Sequence, residues 1–179
     1  MNVLGVTQAV DSHTEKVRRL WQRKSKPAAN PEDAYLVWTI DGVALPYCVP
    51  FDGAAAYSRN PVLDFVTPLT RVDTMNFMVD MAAPYLDRLA GRAGPDSNNG
   101  RTGLLVCGCG FWGCGSLSAF VNRNGDVVEW RDAAWYEFFE GDYVPDGPPP
   151  TGPTFLFDAQ QYDQVLADLT AEFAPPTAQ

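Results

Sequence analysis

The chain predicts one α+β domain, a mainly antiparallel sheet of about five to seven strands with one face covered by an N-terminal and a C-terminal helix. Three observations carry this. Short runs rich in β-branched and aromatic residues recur around two-residue turn signals at Asp41-Gly42 and Asn124-Gly125. A stripe at helical spacing, Tyr162, Val165, Leu166, Leu169 and Phe173, follows an N-cap residue at Asp158. With 179 residues, 46% hydrophobic and 20% charged, the chain holds one sizeable core.

In chain order, residues 1–30 stand apart as a basic segment. Lys16, Arg18, Arg19, Arg23, Lys24 and Lys26 outweigh Asp11 and Glu15, although the whole chain carries −9. Val6, Val10, His13, Val17, Leu20 and Trp21 recur at helical spacing, and Pro27 ends the pattern. This predicts a helix, with a late start if Ser12 and Glu15 form a capping box, whose apolar stripe packs on the body, residues 31–174; the alternative is a basic arm for another macromolecule. Tyr35 to Ile40 and Val43 to Tyr47 flank Asp41-Gly42 as a hairpin, and Pro46 keeps the return strand short or at an edge. Residues 71–91 read as a strand followed by a helix, with Pro84 in its first turn, Tyr85, Leu86 and Leu89 inward, and Gly91 as its stop. Glycines, Pro95 and Ser97-Asn98-Asn99 predict a mobile loop over 92–103.

Strands follow over 102–109, 116–123 and 126–132. A type I′ turn at Asn124-Gly125 would place Val121 opposite Val128 and Ala119 opposite Trp130, with Leu117 on the same apolar face. The aromatic run Trp135, Tyr136, Phe138 and Phe139 reads as core, or, where exposed, as an interaction surface. A proline-rich connection leads to a short strand at Thr154 to Phe157, then to the C-terminal helix. Residues 175–179 read as a disordered tail.

The stretch Cys107-Gly108-Cys109-Gly110-Phe111-Trp112-Gly113-Cys114-Gly115 holds three of the four cysteines. Three readings of it stand side by side. In a strand, Cys107 and Cys109 face the same way, so with Cys114 they form a zinc-binding set whose fourth ligand is Cys48, His13, a carboxylate or water. Alternatively the cysteines are small buried residues in a tight glycine-rich connection. The third reading is thiol or disulfide chemistry, for which no C-x-x-C motif is present. Gly108 to Gly113 also matches G-x-G-x-x-G, but that motif works by opening a helix. Here a strand and a hairpin follow, which excludes dinucleotide binding. The run from Leu104 through this stretch to the Asn-Gly hairpin and Trp130 resembles a group of short uncharacterised bacterial proteins. The resemblance spans about residues 103–132 and implies no activity.

His13 is the lone histidine, and no Walker loop, G-x-S-x-G, H-E-x-x-H or EF-hand loop occurs. A pI near 4.4 makes nucleic acid a poor partner for the acidic body and favours a basic protein. No run is apolar and long enough to span a membrane, and no signal peptide is read at the N-terminus, so a cytoplasmic protein is expected. Homo-oligomerisation is left open. The function expected is non-enzymatic, an acidic binding or interaction protein, with a zinc-dependent or zinc-stabilised protein as the alternative.

Overall fold

The computed structural model describes residues 1–8, 36–50, 65–69, 82–97, 99–107, 116–136 and 151–173. The strands among them are β1 (Leu4–Gln8), β2 (Leu36–Ile40), β3 (Val43–Ala44), β4 (Phe65–Val66), β5 (Thr102–Cys107), β6 (Ser116–Asn124), β7 (Val127–Tyr136) and β8 (Phe155–Asp158). The helices are α1 (Leu45–Cys48), α2 (Ala82–Leu89) and α3 (Ala159–Glu172). The α+β class and the antiparallel pairing hold. The single sheet does not, because the strands divide into a three-stranded sheet, β1-β2-β3, and a five-stranded sheet, β4-β5-β6-β7-β8.

The first sheet is short for local reasons. Asp41 and Gly42 both adopt positive φ, +52° and +81°, the type I′ turn that joins β2 to β3. Pro46 cannot donate to a ladder, so β3 stops after Ala44 and the chain enters α1. Of the residues expected in an N-terminal helix, Val6 lies instead in a strand, Leu4–Gln8, opposite Trp38. Pairing with β2 overrides the helical spacing there. Val10, His13, Val17, Leu20 and Trp21 lie outside the described residues.

The two sheets meet at two places, one beside the edge strands β1 and β8 and one between Thr67, just after β4, and Leu36 of the central strand β2. At one seam, Asn2 forms a parallel bridge to Phe157. Its N–H donates to Leu156 O at 2.6 Å, and its side-chain oxygen accepts the Leu156 N–H at 3.0 Å. At the other seam, the Thr67 N–H and hydroxyl both donate to Leu36 O, at 2.9 and 2.8 Å. Both sheets contribute to one core. One contact is a single parallel bridge, and the other is a pair of hydrogen bonds to one carbonyl.

The β6–β7 register shows how the core face is chosen. Val121 pairs with Trp130 and Arg123 with Val128, two residues away from the register that the turn signal predicts. The loop is Gly125-Asp126, and the positive φ of +58° falls on Gly125 alone, as in a type II′ turn. An even shift leaves the faces unchanged, so Leu117, Ala119, Val128 and Trp130 are still buried. A bulge between Ser118 and Phe120 then moves the inward positions of β7 to Ala133 and Trp135. Asp132, at φ +53°, is its bent residue.

Inside, Trp38 and Trp130 meet edge to face at 5.9 Å. Each indole N–H donates to a tyrosine hydroxyl, and each hydroxyl donates onward to a backbone carbonyl. Trp38 leads to Tyr85 (2.6 Å) and Leu104 O (2.7 Å). Trp130 leads to Tyr162 and then Leu89 O, both at 3.1 Å. Leu89 ends α2, so its carbonyl has no partner within the helix, and Tyr162 of α3 provides one. Tyr85, Leu86 and Leu89 point inward and Gly91 stops the helix at φ +73°, as the spacing predicts. Helix α3 begins where the sequence places it, with the Asp158 carboxylate accepting the Gln161 N–H at 2.9 Å.

Candidate functional site

The cysteine stretch leaves β5 at Cys107 and re-enters the sheet at Ser116, the start of β6. Val106 pairs with Ser116, so the connection must leave and return at one strand spacing. β6 is a strand, which leaves no crossover helix for a dinucleotide fold. Of the proposed zinc ligands, Cys107 is described by its backbone only, and Cys109, Cys114 and His13 lie outside the described residues. Among the described residues no three His, Cys, Asp or Glu side chains gather into a metal-binding group.

Cys48, the suggested fourth ligand, lies at the end of α1. Its sulfur is 3.7 Å from both Val43 O and Ala44 O, so the thiol donates back into its own turn. Burial, helped by the charge of Asp41, pushes the thiol above its ordinary pKa. That favours the protonated form over the thiolate that zinc or nucleophilic chemistry needs. Of the aromatic run, Trp135 is 8% exposed and belongs to the core. Tyr136 ends β7, and Phe138 and Phe139 lie outside the described residues.

The described surface is distinguished by how its charges are used. Its five arginines, Arg88, Arg92, Arg101, Arg123 and Arg131, are all engaged within the chain. Arg88 Nε meets Asp96 at 2.8 Å, and Arg92 pairs with Asp87 at 2.8 Å. Arg123 forms a two-pronged pair with Asp163, and Arg131 approaches Asp132 at 3.7 Å. Arg101, 1% exposed, is buried against Ser118 and Phe120. By contrast, Asp41, Glu129, Asp158 and Asp168 are held by neutral donors from Asn2, Asn122, Gln161 and Gln164. Hydrogen bonds of that kind fix a carboxylate without cancelling its charge.

Helix α3 has no Lys or Arg and presents Asp163, Asp168 and Glu172 outward. Sequence reasoning found the acidity but not the engagement of the arginines, since the partners of Arg101 and Arg123 lie 17 to 40 residues away along the chain. The expected mobile loop over 92–103 is held in the same way. Asp96 accepts the Gly103 N–H at 2.9 Å, and the Ser97 hydroxyl donates to Arg101 O at 2.9 Å. Burial raises the Asp96 pKa, while the Gly103 N–H and Arg88 act in the opposite direction.

No protein-family model matches the chain, and no similar curated protein or solved structure was found. No helix among the described residues is long and apolar enough to cross a membrane.

Proposed function

We propose that this is a non-enzymatic, acidic binding protein whose partner is a basic protein, which it sequesters or inhibits by occupying a cationic surface. One observation supports this above the others. The described arginines are spent on internal contacts, while carboxylates held by neutral donors keep their full charge toward solvent. Together with a net charge of −9, this gives a surplus of negative charge, which speeds encounter with a cationic partner and repels phosphate-rich ones.

The reading is tested by isothermal titration against a basic protein at several ionic strengths. Association is expected to weaken at least about tenfold between about 0.05 and 0.5 M salt. Affinity independent of salt, or turnover of a small molecule with no protein bound, would count against it. The zinc reading of Cys107, Cys109 and Cys114 draws on the strand-spaced ends of the β5–β6 connection. Elemental analysis of protein purified without chelator tests it separately, and zinc well below one per chain ends it.

A further inference from the structure

β1 and β8 run side by side at the bridge between Asn2 and Phe157. Alternation along these strands sends Leu4 and Phe157 into the core, 2% and 0% exposed. Their chain neighbours Val3 and Leu156 face the other way, 57% and 42% exposed. Carboxylates border this apolar strip. Glu129 is the cross-strand partner of Leu156, and Asp158 ends the same strand. Asp41 accepts the Val3 N–H at 2.7 Å.

The donors that hold these three carboxylates are neutral: Asn122 for Glu129, the Gln161 N–H for Asp158, and Asn2 with the Val3 N–H for Asp41. The N-terminal ammonium acts on Asp41 and offsets part of the total. The strip therefore presents two uncovered aliphatic side chains bordered by three carboxylates, with Arg131, two residues from Glu129 on the same strand and 3.7 Å from Asp132, as the nearby cation of that strand.

We infer that this strip is the docking surface for a cationic amphipathic segment of the partner protein, with an apolar side chain on Val3 and Leu156 and lysines or arginines at the border. The inference rests on the acidic-binder reading and assigns it a location. Charge selects the occupant. A second copy of this chain would set the same three carboxylates against one another, and nucleic acid or anionic lipid would add phosphates to them. A wholly apolar segment would leave the border unpaired while lowering the local dielectric around it.

The test uses the full chain and two probes, a short leucine–lysine amphipathic peptide and a glycine–lysine peptide of equal charge. Titration calorimetry reads affinity, and amide NMR shifts read location. The wild type is expected to bind the amphipathic peptide more tightly, with the largest shifts at Val3, Leu156 and Glu129. Leu156→Ser and Glu129→Gln are each expected to weaken binding at least about fivefold. Both side chains are surface-facing, and an unchanged thermal melt confirms that the variants fold. Equal affinity for the two peptides overturns the role of the apolar strip. Shifts confined to α3 around Asp163 and Asp168 overturn this location and leave the acidic-binder reading standing. Failure of both peptides to bind overturns both.

Discussion

Arg101 shows how one residue reconciles two irregular strands. A buried charge is costly unless its donors are satisfied. Arg101 Nε donates to Ser118 Oγ at 2.9 Å, and Nη2 donates to Ser118 O and Asp132 O, both at 2.6 Å. The register shifts on both sides of β6 near Ser118, and the planar guanidinium reaches the carbonyls left there. Arg101→Met is expected to cost about 3 kcal/mol, measured as a lower denaturant midpoint at unchanged slope. Tyr162→Phe keeps the ring but strands the Trp130 N–H and Leu89 O, so a loss of about 1–3 kcal/mol is expected in the same measurement. Asp41 governs an acid-side effect. The Asn2 side chain, then the Val3 N–H, hold its pKa below the ordinary 3.8. Its contribution to stability is complete above that value and is lost as pH falls through the lower folded pKa. Asp41→Asn, whose side chain tolerates positive φ, is expected to flatten that part of the stability–pH curve. Denaturant midpoints taken from neutral pH down through the acid limb check it.

At the scale of elements, α3 organises its surroundings. Its N-terminus is capped locally by Asp158, but the Gln161 side chain reaches across to β1. There Nε2 donates to Leu4 O at 2.8 Å and Oε1 accepts the Leu4 N–H at 3.3 Å. Gln161→Ala should leave α3 intact and speed amide exchange at Leu4, because only the tether is removed. The segment before β8 depends on a close backbone approach. A Cβ on Gly152 would lie 1.7 Å from Ala133 O, where the Ala133 N–H also donates to Pro153 O at 2.9 Å. Gly152→Ala is therefore expected to cost about 1–3 kcal/mol, read as a lower melting temperature. The elements legible in the sequence were those with local signals: the Asp41-Gly42 hairpin, the Asp158 cap and the stripe through Tyr162 and Leu169. Val6 sits at the centre of a five-residue strand yet also fits a helical stripe, and only its partner strand distinguishes the two.

Across the whole molecule, the division into two sheets and the surplus of negative charge act together. Strand order brings the N-terminal strand beside β8, which leaves Val3 and Leu156 on an outer face among carboxylates. The described arginines each have partners within the chain. The candidate cysteine site was legible as a connection between antiparallel strands, and β5 and β6 do flank it. The acidic strip was not legible, since Val3, Asp41, Glu129 and Leu156 share no motif and meet only through strand pairing.

By itself the sequence determined the α+β class, the antiparallel pairing, the C-terminal helix and the faces of β6 and β7. These follow from local turn chemistry and from periodicity, which survives even a two-residue slip in register. The tertiary structure alone decided the split into two sheets, the bulge at Asp132, the burial of Arg101 and the meeting of β1 with β8. Each depends on partners distant along the chain, and local backbone preference carries no information about which strand lies beside which.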